Sequence, residues 1–192
     1  IGGIVVFVLL AVLNIRGLGE SAKLNLVLAA VDLGTQVLLV IVGFVLVLDP
    51  SLLLSQVHLG TAPSYTEMIF ALSVAMVAYT GIETVSNMAE EAKDPGKDVP
   101  KAVNLVLVAV LGVYAGISVV ALSALPVTEK AGTFTTQLGT VYKDDPVLGI
   151  VDNLGLSGSL LDLSRGYVGI LAATILLIAT NAGMIGISRL SW

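Results

Sequence analysis

Residues Val77 to Ala102 read VAYTGIETVSNMAEEAKDPGKDVPKA, and this stretch joins a membrane interior to a charged surface. Its first half belongs to an apolar run that begins near Met68, yet the run is interrupted by Thr80, Gly81 and Glu83. Glycine weakens a helix, and nearby hydroxyl and carboxylate groups can bond to backbone groups that a break sets free. We therefore predict a helix break at mid-membrane depth, facing protein or water.

The composition indicates an all-α integral membrane protein with the lipid bilayer as its surroundings. Hydrophobic residues make up 56% of the chain and charged residues 12%, and the mean hydropathy is +1.00, well outside the range of soluble domains. No basic patch or pattern of stacking aromatic residues accompanies the net charge of −5, so nucleic acid is not an expected partner. With no cysteine and one histidine, the chain excludes disulfides, thiolate metal sites and multi-histidine metal clusters.

The apolar runs predict a single transmembrane domain with five spans. They lie at about 1–13, 24–48, 66–88, 101–125 and 167–187. Residues 127–165 form a polar, external amphipathic loop, in which Asp145 and Pro146 are expected to cap a helix. The first run is too short for a complete span, so we expect an internal piece of a longer multi-pass protein.

Basic residues set the expected orientation. The short loops at residues 14–23 and 90–101 fall on one side of the membrane together with the end of the last span, and they carry Arg16, Lys23, Lys93, Lys97, Lys101 and Arg189. The positive-inside rule makes this side cytoplasmic. The expected location is therefore the cytoplasmic membrane.

The second expected span carries a polar stripe. Asn25, Asp32, Gln36 and Gly43 follow one another at intervals of seven, four and seven residues, which places them along one helical face. We expect this face to point away from lipid, because Asp32 would otherwise be charged in hydrocarbon.

Three motifs resemble those of one transporter family. YTGIE followed by NMAEEAKDPGKDVPKA, the NxRGxxESAxxN pattern of residues 14–25, and ATNAGMIGISRLSW of residues 179–192 are similar to segments of the amino acid-polyamine-organocation (APC) superfamily. The resemblance covers essentially the whole chain. It implies a LeuT-type fold of 5+5 inverted repeats, with this chain supplying a fragment from the end of helix 4 through helix 8.

The resemblance also implies a substrate site in the broken sixth helix. The backbone of Ala78, Tyr79, Thr80, Gly81 and Ile82 would contact the charged groups of an amino acid, since a break exposes N–H and C=O groups. In this family the glutamate of the motif is associated with gating and proton coupling, a role that falls on Glu83. The simpler alternative is that Glu83 only bonds to backbone groups at the break.

One position departs from the family pattern. Many members have a lysine in the fifth helix that takes the place of a bound sodium ion, and the corresponding residue here is Asp32. A carboxylate can instead ligate a cation, and Thr180 and Asn181 resemble family sodium-site positions. Two interpretations stay open: a Na⁺ site formed by these three residues, or proton carriage by Asp32 itself. A third, structural alternative is that Asp32 only bonds between helices.

The expected function is secondary active transport of amino acids or related amines by alternating access, coupled to Na⁺ or H⁺ or working by exchange. No other cofactor is expected. An enzyme is not expected, because an intramembrane hydrolase needs a constellation of nucleophile and base that the sequence lacks. The alternative is a scaffold or receptor-like helical bundle that transports nothing.

Overall fold

The structure, a computed structural model, describes residues 18–79, 92–130 and 132–190. Its α-helices are α1 (Leu18–Leu46), α2 (Pro50–Ser55), α3 (Tyr65–Ala75), α4 (Pro95–Ala124), α5 (Pro146–Asp152) and α6 (Ser159–Leu190). Short 3₁₀ helices follow α3 at Met76–Tyr79 and lie at Gln137–Gly139. Strands β1 (Thr128–Lys130) and β2 (Thr133–Thr135) pair antiparallel, with Glu129 opposite Phe134.

Among the described residues, three helices are long and apolar enough to cross a membrane. These candidate spans are Leu26–Leu46, Pro95–Ala124 and Ser159–Thr180. Large apolar side chains on them are exposed, for example Leu26 at 71%, Leu105 at 70% and Leu176 at 69%. Such surfaces suit hydrocarbon rather than water. The prediction of an all-α integral membrane protein is confirmed, and the two-stranded hairpin lies in a connecting segment.

The helices extend beyond the apolar runs that predicted them. Helix α1 already includes Leu18, the first described residue, ahead of the expected span from residue 24. Helix α4 begins at Pro95 with Pro100 inside it, and α6 begins at Ser159 rather than at Tyr167. The expected span at 1–13 lies outside the described residues. So do residues 80–88 of the expected third span.

The expected loop at 127–165 contains more structure than the sequence reading proposed. It holds the β1–β2 hairpin, and its last residues already belong to α6. Helix α5 begins at Pro146, where a helix was expected, but the Asp145 side chain makes no capping hydrogen bond. Asp145 therefore takes the expected N-cap position without a side-chain hydrogen bond, and the proline at the first helical position marks this helix start.

Helix α2 starts directly after α1 and has a well-formed cap. Asp49 accepts hydrogen bonds from the Ser51 hydroxyl at 2.6 Å and from the Leu52 backbone N–H at 3.0 Å. These bonds lower the pKa of the Asp49 carboxyl below its ordinary value of 3.8. Since the folded-state pKa is lowered, the cap's contribution is present at neutral pH and is lost only as the pH falls through that lowered pKa.

The described chain falls into two compact units. One comprises residues within Ile1–Val42 and Asp145–Trp192, and the other comprises those within Gly43–Asp144. In the first unit, the short helix α5 packs on α6. The Arg165 Nε atom donates to Asp152 Oδ1 at 2.7 Å, which ties the end of α5 to the first turns of α6.

The second unit contains a close contact between the end of α1 and α4. Gly43 is buried, and Val120 of α4 is completely buried. A Cβ atom added at Gly43 would lie within 3.0 Å of the Val120 side chain, so the valine occupies the space that a side chain would need. Glycine at 43 thus allows the two helices to approach closely.

We expect Gly43→Ala to destabilise the protein by about 1–3 kcal/mol, because the added methyl group overpacks against Val120. Gly34→Ala is the matched control, since a Cβ at Gly34 of the same helix meets nothing within 4 Å in the described structure. Thermal unfolding in detergent compares the two. Equal Tm values for both variants would contradict the close contact.

Gln56, directly after α2, forms hydrogen bonds with the last turns of α4 and with the segment that follows α4. Its Nε2 atom donates to the Leu52 carbonyl at 3.1 Å and, at 3.5 Å, to the Leu122 carbonyl near the end of α4. Its Oε1 atom accepts from the Val127 N–H at 2.7 Å. The Thr136 hydroxyl donates to the Leu125 carbonyl at 2.8 Å, so the hairpin segment also supplies a partner where α4 ends.

Gln56→Leu should cost about 1–3 kcal/mol of stability, because the Val127 N–H and the Leu122 carbonyl lose their side-chain partner in a partly buried place. Gln137→Leu, at an exposed glutamine, is the control and should change stability little. Chemical denaturation in detergent measures both. A Gln56→Leu variant as stable as the control would show that these bonds contribute nothing net.

Candidate functional site

The helix that carries the opening motif begins with a capping box. The Ser64 N–H donates to Glu67 Oε2 at 2.8 Å, and the Glu67 N–H donates to Ser64 Oγ at 3.3 Å. The two residues thereby satisfy each other's free donors. This box fixes where α3 starts, next to the expected boundary of the third span, and it directs the following apolar residues into one helix.

The regular α-helix ends well before the apolar run does. Helix α3 stops at Ala75, and the chain continues as a 3₁₀ helix over Met76–Tyr79. A 3₁₀ helix bonds each carbonyl to the residue three positions on instead of four, so the hydrogen-bond ladder changes here. Short 3₁₀ turns are frequent where α-helices end, and here the turn lies inside the apolar run, directly before the predicted break.

The structure places part of the predicted substrate segment in this 3₁₀ helix. The backbone of Ala78 and Tyr79 forms its second half. Thr80, Gly81, Ile82 and Glu83 lie outside the described residues. The predicted break at Gly81 and the roles assigned to these residues therefore stay predictions.

Asp32 lies within the candidate span of α1 and is bonded to its own helix. Gln36 Nε2 donates to Asp32 Oδ2 at 2.7 Å, four residues along. Both side chains are partly buried, and Gly43 farther along the predicted stripe is buried. In the described part of the chain, no Lys, Arg or His forms an ion pair with Asp32. This carboxylate therefore has a neutral partner, and an incoming cation would meet a charge that no described side chain compensates.

Thr180 is the last residue of the candidate span in α6, and Asn181 follows it in the same helix. The Thr180 hydroxyl donates to the Leu176 carbonyl at 2.7 Å, a bond within its own helix. The oxygen lone pairs of such a hydroxyl can still accept a cation. The described hydrogen bonds of Asp32 and Thr180 each stay within one helix and do not join the two residues.

No group of three or more histidine or acidic residues that could hold a metal ion occurs in the described ranges. The cation site predicted at Asp32, Thr180 and Asn181 combines one carboxylate with neutral oxygen ligands. That donor set suits a weakly held monovalent ion or a proton better than a tightly bound divalent metal.

Sequence reasoning missed one contact beside Asp32. The Thr35 Oγ1 and Tyr167 hydroxyl oxygen atoms lie 2.7 Å apart, and they join α1 to α6 within the same unit. Thr35 is three residues from Asp32, so it could have been added to the polar stripe by helical spacing. Its partner could not be found from spacing, because that depends on how the two helices pack.

These features define a multi-pass helical membrane protein with an ionisable residue inside an apolar span and an irregular helix in another apolar run. The family model of the amino acid permeases matches residues 1–188. The chain belongs to the amino acid permease family, within the APC superfamily.

Curated relatives include transporters from bacteria and plants. The chain is 30% identical over 131 residues to the D-serine/D-alanine/glycine transporter of Escherichia coli, covering 63% of this chain and 28% of the relative. It is 25% identical over 161 residues to the vacuolar cationic amino acid transporter 4 of Arabidopsis thaliana, covering 83% and 25%. An uncharacterized protein of Methanocaldococcus jannaschii is 32% identical over 105 residues, covering 54% and 24%.

The chain thus spans about a quarter of the length of these relatives. No solved structure matches the chain significantly.

Proposed function

We propose that the protein transports amino acids or related amines across a membrane by alternating access, with movement of substrate coupled to Na⁺ or H⁺ or to exchange. Family membership and the names of the transporter relatives support the substrate class. The LeuT-type arrangement of inverted repeats is part of this proposal. The cytoplasmic membrane is also a proposed location, because the relatives do not all share it: one of them is vacuolar.

The observation that carries the proposal is the change from α-helix to 3₁₀ helix at Met76, directly before Thr80, Gly81 and Glu83. Where a helix loses its regular ladder inside a membrane, its N–H and C=O groups must find other partners. The ammonium and carboxylate groups of an amino acid are suitable partners for those dipoles. In this mechanism the substrate lies against residues 78–82.

Glu83 is proposed to open and close the site. A carboxylate beside a helix break bonds to free backbone N–H groups when it is ionised and loses some of these bonds when it is protonated. Uptake of a proton would then loosen the break. The same residue therefore couples backbone geometry to the state of charge.

Asp32 is proposed to carry the coupling ion. With Gln36 as its hydrogen-bond partner, the carboxylate keeps a second oxygen for Na⁺ or for a proton. Thr180 and Asn181 are the proposed further ligands if the ion is Na⁺. Occupation by either cation neutralises a charge inside a span, which lowers the cost of moving that helix within the membrane.

Glu83→Ala in the complete protein should reduce the uptake of labelled amino acid into liposomes by about tenfold or more, equivalent to about 1.4 kcal/mol of lost stabilisation or greater. The control Glu67→Gln alters a carboxylate at the start of the same apolar segment, outside the proposed site, and should retain uptake.

Robust uptake by the Glu83→Ala protein would refute the gating role. Binding of amino acid to the unmodified protein without any uptake would instead favour a scaffold or receptor-like bundle. Uptake and binding are both measured on protein reconstituted into liposomes, so the two results can be compared directly.

Asp32→Asn should weaken the binding of the coupling cation, because the amide can neither bind a proton nor supply a negative charge. We expect the half-saturating cation concentration to rise about tenfold or more in the variant, as a loss of about 1.4 kcal/mol requires. Two titrations identify the ion, one of Na⁺ at fixed pH and one of pH at fixed Na⁺. Transport by the unmodified protein that is indifferent to both ions would leave exchange as the mode.

A further inference from the structure

The contact between Thr35 and Tyr167 links two membrane-crossing helices close to Asp32. The two hydroxyl oxygens lie 2.7 Å apart, a short hydrogen bond. Thr35 is partly buried, and Tyr167 is 43% exposed in this chain. In an apolar medium a hydroxyl group without a partner is costly, so each of these groups stabilises the other.

The direction of this hydrogen bond follows from counting protons. The Thr35 hydroxyl also lies 2.8 Å from the Val31 carbonyl, to which it donates. A threonine hydroxyl has a single proton, and the carbonyl can only accept. Tyr167 must therefore be the donor to Thr35, and the bonds form a chain from Tyr167 through Thr35 to the backbone of α1.

This chain ends on the part of α1 that carries Asp32. Successive residues of an α-helix are rotated by about 100°, so Thr35 and Gln36 lie about 60° and 40° to either side of Asp32, one turn along the axis. Since Thr35 contacts α6, the carboxylate of Asp32 lies on the side of α1 that is turned toward the same helix. Gln36 holds the carboxylate from the other flank.

We infer that Tyr167 is a positioning residue for the Asp32 site. Its phenol hydroxyl, acting through Thr35, fixes the rotation of α1 about its own axis and thereby keeps the Asp32 carboxylate turned toward α6. The inference rests on the proposed function in one respect, namely that Asp32 binds the coupling cation. It adds a residue that does not touch the cation and controls how well the cation is held.

Removing the hydroxyl leaves the aromatic ring in place. Without the hydrogen bond, α1 can rotate and the carboxylate samples orientations that hold a cation less well. The substrate contacts proposed for residues 78–82 belong to another segment of the chain, so we do not expect them to depend on this bond. The expected signature is therefore a weaker affinity for the cation with an unchanged KM for the amino acid at saturating cation.

The test measures uptake by the complete protein in liposomes, with Na⁺ and pH titrated separately. Tyr167→Phe and Thr35→Val each break the hydrogen bond and should raise the half-saturating cation concentration about threefold to tenfold, the range expected for one interhelical hydrogen bond in a membrane. The double variant should show no further rise, because both changes remove the same bond. Thr35→Ser keeps the hydroxyl and should behave like the unmodified protein.

Two matched controls separate positioning from general damage. Tyr114→Phe removes a phenol hydroxyl from α4 that has no hydrogen-bond partner among the residues the structure describes. Thr174→Val removes a threonine hydroxyl whose described bond, to the Leu171 carbonyl at 2.8 Å, stays within α6. Neither control should alter the cation titration.

A cation titration for Tyr167→Phe that equals that of Tyr114→Phe would overturn the inference. Should Tyr167→Phe fail to fold, the comparison of Thr35→Val with Thr35→Ser decides, and identical titrations for those two would overturn it. If the proposed role of Asp32 in cation binding is wrong, a different result is expected: Asp32→Asn would leave the cation dependence of uptake unchanged. A shift caused by Tyr167→Phe that persists in an Asp32→Asn background would show that Tyr167 acts by a route other than Asp32.

Discussion

The bilayer core offers no water, so every backbone N–H and C=O group there must be hydrogen-bonded within the protein. The long helices satisfy this requirement with their own ladders. Several of their hydroxyl side chains donate to a carbonyl three or four residues earlier in the same helix, as Thr35, Ser164, Thr174 and Thr180 do. The buried Ser123 hydroxyl of α4 is an exception, since it has no hydrogen-bond partner among the described residues. Polar residues can therefore lie in apolar helices without requiring a partner helix, which leaves their remaining lone pairs for other uses.

Two places in the described chain meet this hydrogen-bonding requirement less completely. At Met76 the helical ladder changes to 3₁₀ spacing while the sequence is still apolar. At Asp32 a carboxylate sits in a span with only a neutral amide as its hydrogen-bond partner among the described side chains. Both arrangements would be poor choices for a purely structural helix. They are reasonable in a protein that exchanges bound solutes and ions, since weakly satisfied groups can accept a ligand and release it again.

Hydropathy predicted which segments form long apolar helices, and it did not predict where these helices begin. Helices α4 and α6 start in polar sequence, at Pro95 and Ser159, because a helix can continue into water beyond the membrane. The β1–β2 hairpin was missed, although Gly132 lies between two short segments that contain β-branched threonines, a weak hairpin signal. The contact of Thr35 with Tyr167 had no signal in the sequence, since residues far apart in a chain meet only through tertiary packing.

The close approach of Gly43 to Val120 has a consequence for how this family can diverge. Because the valine fills the volume where a side chain at 43 would go, a larger residue at 43 requires a smaller one at 120. Homologous sequences should therefore show paired changes at these two sites, with their combined side-chain volume held nearly constant. Such a correlation would arise from space alone, and it would mark the two helices as neighbours in relatives whose substrates differ.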